Sequence, residues 1–323
     1  MADFRVHFFL RFTMPRSRRS DATMSIVLAL VIGLIVGACS WFVITRPDLM
    51  RGLPLPAHKP APQTLPTTAI VPHKALYAIK MISARNGSQI ANIGGKMYYQ
   101  LENTCHQWVT NHRFSLDYEY ADSAPMRVTS DFSTSESEDG KSFSFSSRRH
   151  RDGELYEQLE GKASTSSSTP GEALYSEPEG LFFELRPGTL FPTAHTAALI
   201  RAAQDGKKFL SLPVFDGSDT EGPVDISAVL GGKVTPSDQP KFSAGVDKSL
   251  LASPAWSVKL SFFPSQSAEA TADYELTMTL HENGVISEMN VDYDDFSVQQ
   301  SLIALEKIPA KSCTEAVPLP RGR

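Results

Sequence analysis

Cys105, His106 and His112 fall in the stretch "CHQWVTNH", where thiol and imidazole groups stand close enough in sequence to suggest a metal site. A zinc site needs four ligands, and structural ones bring paired cysteines two to four residues apart. Nothing in this chain supplies the remainder. A cysteine nucleophile needs a lowered pKa and an orienting base, which Cys105 does not reveal by its neighbours in sequence. "DYDDF", from Asp292 to Phe296, offers carboxylates for calcium but lacks the spaced oxygen ligands and the turn glycine of a calcium loop. It reads as a charged turn after a strand. His195 has serines elsewhere in the chain, but no G-x-S-x-G elbow accompanies it. A P-loop, a dinucleotide fingerprint and a CxxC pair are also absent. No catalytic, cofactor-binding or metal-ligating residue is therefore assigned.

The fate of Cys105 depends on the compartment. Ile26–Ile44 is a run of nineteen residues with no charge and no proline, close to the roughly 20 residues that cross a bilayer core. Arg16, Arg18 and Arg19 precede it, so the positive-inside rule leaves residues 1–25 in the cytoplasm and exports the remainder of the chain. Residues 26–44 serve as a retained anchor or a cleaved signal helix; "VGAC", ending at Cys39, adds lipidation as a third possibility. Met1, Met14 and Met24 are alternative starts. Beyond the inner membrane of a bacterium, thiols meet an oxidising compartment. Of the three cysteines, Cys39 lies in the apolar segment, which leaves Cys105 and Cys313. They are expected to form a structural disulfide that pins the last structured segment to an early strand and holds the edges of an open sheet.

Charge points the same way. Residues 1–72 carry eight Lys/Arg against three Asp/Glu, leaving 23 basic and 33 acidic residues in the body. An acidic body repels phosphate backbones and anionic headgroups, which argues against nucleic acid as a partner. Residues 45–72 hold seven prolines and read as a semi-rigid spacer of extended chain.

From His73 the apolar period is two. "KALYAIKMI", "KMYYQLEN", "HRFSLDYEY", "KSFSFSSRR", "WSVKLSFF", "YELTMTLHE" and "VISEMNVDY" alternate as half-buried antiparallel strands do. "RNGS", "EDGK", "RDGE", "FDGS" and "HENG" mark turns, and Asn283-Gly284 is the strongest hairpin signal, with positive φ expected at both residues. The Ser-rich "TSDFSTSESE" reads as an exposed strand edge and "ASTSSSTPGE" as a mobile loop. One helix is predicted over 193–205, with Thr193 as N-cap and Gly206 as terminator. The pattern predicts an all-β body, either a sandwich, a barrel or a coiled open sheet, whose single helix plugs an end or covers an edge.

The order of "PHKALYAIKM", "GKMYYQLENTCHQW", "EDGKSFSF", "LRPGTLFPTAHTAALIRAAQDGKKFLSLPVFDGSD", "WSVKLSFFP" and "LEKIPAKSC" resembles the EipB (cell-envelope integrity protein B) family of alphaproteobacteria. The resemblance covers residues 72 to about 313. It implies a single antiparallel β-spiral, an open barrel-like domain over 73–313 with a disulfide that falls on Cys105 and Cys313, before a disordered tail at 314–323. It also implies a periplasmic role in envelope integrity with no catalytic residues. The partner expected is an envelope protein or lipid, with the inner membrane engaged through the N-terminal helix. Two further readings are a carrier or sensor of acyl chains with an apolar cavity and, less well supported, an envelope-polymer hydrolase.

Overall fold

The computed structural model describes residues 70–235, 242–265 and 271–309. Residues 1–69, with the apolar segment 26–44 and Cys39, lie outside the described residues, as do Cys313 and the tail. Among the described residues no helix is long and apolar enough to cross a membrane.

The first arm of the chain runs β1 (His73–Ala84), β2 (Ile90–Asn103), β3 (Gln107–Tyr120), β4 (Met126–Ser137), β5 (Ser142–Arg151), β6 (Glu154–Ser164), β7 (Gly171–Glu177) and β8 (Phe182–Leu185). Helix α1 (Pro192–Gln204) comes next. The second arm is β9 (Phe209–Val214), β10 (Val224–Lys233), β11 (Ala255–Pro264), β12 (Tyr274–His281), β13 (Ile286–Asp292) and β14 (Phe296–Lys307). All fourteen strands form one antiparallel sheet in which each pairs with its sequence neighbour, except that β14 pairs with β1 and β8 does not pair with β9. The result is an up-and-down meander whose first and last strands close on each other and whose seam opens at the middle of the chain.

Alternation sends one face of each strand inward. On β1 the buried residues are His73, Ala75, Tyr77 and Ile79, and on β3 they include Phe114, Leu116 and Tyr118. They join Ile226, Leu260 and Leu280 of the second arm, with Leu199 and Ile200 of α1, in one continuous core. A second, aromatic cluster fills the seam: Phe143 stacks on Phe191 at 4.8 Å, and Phe145 meets Tyr175 edge-on at 4.8 Å.

The seam is closed by the residues just before α1, which cross to the end of β9. The Leu190 amide donates to the Pro213 carbonyl at 2.9 Å, and the Phe215 amide donates to the Leu190 carbonyl at 3.0 Å. The loop after β9 is then anchored from the first arm. Arg149 Nη2 donates to the Ser218 carbonyl at 2.6 Å while its Nη1 pairs with Glu157, and the Tyr175 hydroxyl donates to the Asp219 carbonyl at 2.6 Å. Gly217 (φ 66°) lies so close over the Phe145 ring that a Cβ has no room, which is why "FDGS" contains a glycine although it is no hairpin.

Four expectations are corrected. The Ser-rich stretch 129–138 is no edge: β4 is paired on both sides, to β3 and β5, and Ser130, Thr134 and Glu136 are buried. Asn283 does not adopt positive φ; only Gly284 (φ 84°) does, while Asp152-Gly153 (φ 51° and 90°) forms the turn with both residues left-handed. Asn283 is held instead by three segments, donating from Nδ2 to Leu250, accepting at Oδ1 from Val285, and accepting at its carbonyl from Val71. That last bond and the burial of Ile70 carry the body back before the expected boundary at Pro72. Finally, β1 and β14 lie mid-sheet and the edges are β8 and β9, so a bond between early and late segments cannot restrain an edge.

The seam contacts differ sharply in burial. The Arg149 side chain is 3% exposed, whereas the Arg186–Asp225 pair is 56% and 33% exposed. Removing one partner of a buried pair leaves the other groups unpaired at a cost of about 3–5 kcal/mol, while an exposed pair contributes about 0–1 kcal/mol. Arg149→Met is therefore expected to lower the unfolding free energy by about 3 kcal/mol and Arg186→Met by less than about 1 kcal/mol, read as shifts in urea midpoint. Equal shifts would contradict this account of the seam.

Candidate functional site

Helix α1 lies across one end of the curled sheet. Its thirteen residues span about 20 Å at ~1.5 Å per residue. Phe191, not Thr193, occupies the N-cap position; it has no capping side chain, and Pro192 begins the helix. The cap comes instead from β4. Glu136 Oε2 accepts from the Thr193 amide and Oε1 from the Ala194 amide, each at 2.8 Å. A carboxylate at a helix N-terminus satisfies orphan amides and complements the helix dipole. At the other end Gln204 Nε2 donates to Glu282 at 2.5 Å, beside the β12–β13 turn. Gly206 (φ 73°) ends the helix as expected, with the Lys207 amide donating to the Ala202 carbonyl at 2.9 Å.

Beneath the helix is a cavity of about 250 Å³. Strand register sets its wall. His73, Leu101, Thr110 and Thr134 lie side by side across β1 to β4, and the next inward row is Ala75, Tyr99, His112 and Phe132. Tyr99 packs between two imidazoles, with ring centroids 5.4 Å from His73 and 4.9 Å from His112. His195 enters from α1. The opposite wall, from β10 to β13, is apolar and includes Ile226, Leu260, Leu276 and Met278. Among the described residues no serine, cysteine, lysine or arginine lines the cavity.

Burial sets the charge of these groups. It pushes the Glu136 carboxyl up to about 7, opposed by the two helix amides. It pushes His112 and His195 down to about 4. It also lowers His73, against the bond from Nδ1 to the Val71 carbonyl at 2.7 Å. The phenol of Tyr99 is raised by burial and by the nearby Glu136. Near neutral pH the cavity therefore presents uncharged imidazoles and a neutral phenol.

The sequence candidates separate in space. Cys105 is not in a strand but in the β2–β3 turn, at φ 73°, its amide donating to Asn103 Oδ1 at 2.8 Å. His106 is exposed in the same turn, while His112 faces the cavity from β3. No group of three His, Cys, Asp or Glu able to hold a metal occurs among the described residues. Asp292 ends β13, and Asp294 and Asp295 form the turn into β14. The residue that sequence reasoning missed is Glu136. Its signal was phase: it continues the inward parity of Val128, Ser130, Phe132 and Thr134 on β4, a position where a carboxylate needs a partner.

These shifts give stability a pH dependence with a definite sign. Below their ordinary value of 6.5, His112 and His195 take protons in the unfolded chain that the folded form resists down to about 4, so stability is lost as pH falls through that window. His73 and His281, also lowered, act in the same direction. Glu136 acts oppositely: its raised value favours the folded form below about 4.5, and that contribution is lost as pH rises to about 7. The histidines outnumber it. Urea unfolding is expected to show stability falling from pH 6.5 to 4.5, by up to about 1.4 kcal/mol per pH unit for each net proton. His195→Phe should flatten the fall. Glu136→Gln should steepen it and cost about 1–2 kcal/mol besides, because an amide nitrogen cannot accept from the second helix N–H. Stability that rises on acidification would contradict the arrangement.

The same fold and order of elements occur in known proteins. The family model described as EipB-like matches residues 65–309. The Cell envelope integrity protein EipB of Brucella abortus (strain 2308) is 31% identical over 242 residues, covering 73% of this chain and 84% of that protein. A solved structure from Brucella abortus, titled a beta-barrel-like protein of a domain of unknown function, superposes with a TM-score of 0.68 at 27% identity, over 74% of this chain and 99% of the other. With the family model spanning the whole sheet and its helix, this chain belongs to the EipB-like family.

Proposed function

We propose that this chain is a non-enzymatic periplasmic protein that helps maintain the cell envelope by binding another envelope component. The observation that carries this reading is the interior itself: a mainly apolar cavity with a few convergent polar groups, the usual form of a binding site, and with no serine or cysteine among the described residues of its lining. The relative named for cell-envelope integrity supports the same role. The apolar segment 26–44, with Arg16, Arg18 and Arg19 before it, supports export and tethering to the inner membrane. A second reading, in which the bound component is an acyl chain, is favoured by the apolar β10–β13 wall.

The Cys105–Cys313 bond belongs to this proposal. Lys307, His73 and Leu101 are in register across β14, β1 and β2, so Lys307 is about 10 Å from Leu101 at two strand spacings. Cys105 stands four residues after Leu101 and Cys313 six after Lys307, a reach of up to about 20 Å at ~3.3 Å per residue. Both chain directions leave the sheet at the end that α1 covers. The bond would thus reinforce the β14–β1–β2 closure.

A strain lacking the gene is expected to become sensitive to detergents and cell-wall antibiotics, and normal resistance would overturn the proposed role. Cys105→Ala and Cys313→Ala should each leave a folded protein about 2–5 kcal/mol less stable. The double variant should lose no more than either single one, because both remove the same bond. Free thiols at both positions in protein taken from the periplasm, or additive losses, would refute the pairing.

A further inference from the structure

We propose that the cavity under α1 takes an uncharged amphiphile, with an apolar chain along the β10–β13 wall and a hydroxyl- or ester-bearing head among Tyr99, His73 and His195. The inference deepens the binding role proposed above and rests on the interior being the binding site. Its first support is a set of polar groups that the protein leaves unsatisfied. His195 is 6% exposed and lines the cavity, yet its ring has no hydrogen-bond partner among the described residues. Tyr99 also lines the cavity, and its hydroxyl has no hydrogen-bond partner among those residues. His73 is 1% exposed and donates from Nδ1 to the Val71 carbonyl, so its Nε2 remains an acceptor. Buried polar groups are as a rule paired by protein, water or ligand. Here a phenol donor and two imidazole edges converge on one space, which suits a head that both accepts and donates.

The second support is what the wall lacks. A carboxylate or phosphate head would find no lysine or arginine among the described residues of the lining and would meet Asp216 there, with Glu136 bonded to the helix just behind Thr193. An unpaired buried anion is strongly disfavoured, whereas a neutral ester or hydroxyl is not. The third support is the opposite wall. Leu260, Phe262, Leu276, Met278, Ile226 and Met289 form an apolar surface facing the polar groups, and each methylene buried there adds about four-fold in affinity.

The test uses the full chain in isolated membranes and three photoreactive probes that share a ten-carbon chain: a monoacylglycerol, a carboxylate and an alkyl phosphate. The monoacylglycerol probe should label peptides of β11 and β12 at least about ten-fold more than either anion. Excess monodecanoylglycerol should compete and decanoate should not. Tyr99→Phe/His195→Phe should reduce labelling at least about five-fold, and Met278→Trp should abolish it; Leu276→Phe replaces the latter if it does not fold. Preferential labelling by an anionic probe, labelling confined to the outer surface, no labelling at all, or labelling unchanged in the double variant would each overturn the inference. The deletion phenotype is indifferent to headgroup charge, so failure here is distinguishable from failure of the envelope role.

Discussion

The pairing of β1 with β14 is the constraint on which the rest of this fold depends. It joins segments more than two hundred residues apart, and every other ladder joins neighbours in sequence. Once the first and last strands are paired, the sheet grows outward in two arms, and the edges that remain are the consecutive strands β8 and β9. The connection between them must therefore bridge the gap in the sheet. That connection carries α1, which is why this helix lies against the interior and not on the outer face. The closing ladder also carries the largest loop-closure entropy of the sheet, because its partners are the farthest apart in sequence.

The seam shows how an open sheet can avoid exposing two long edges. Edge strands invite pairing with other chains. Here β8 and β9 are short, and Leu190, in the segment after β8, bonds to Pro213 at the end of β9 and to Phe215 just after it. Arg149 and Tyr175 then hold the loop 215–222 over the aromatic cluster. The helix is fixed separately, by Glu136 at its first turn and Glu282 near its last. A single buried carboxylate on β4 thus couples the first arm, the helix position and the roof of the cavity.

Much of the sheet is legible in the sequence because half-buried strands alternate. The seven stretches with that period correspond to β1, β2, β3, β5, β11, β12 and β13. β4 shows the pattern only weakly because, beside Val128 and Phe132, its inward residues are Ser130, Thr134 and Glu136, with Thr134 on the cavity wall and Glu136 capping the helix. β8 and β9 are too short to show a period. The helix is evident from its composition, but its cap is not, because the capping residue is more than fifty positions away. His112 and His195 both stand out in the sequence, as candidates for metal and triad chemistry. Their shared cavity depends on the register of β3 and on the path of α1, which no local pattern encodes.

The central claim is that the chain acts through the interior that α1 encloses. The most direct measurement is complementation of a deletion strain by a variant whose cavity is filled, such as Met278→Trp, after thermal melting and periplasmic abundance are matched to wild type. The account predicts a folded, exported protein that fails to restore resistance to detergents and cell-wall antibiotics. Full restoration by that variant would contradict it.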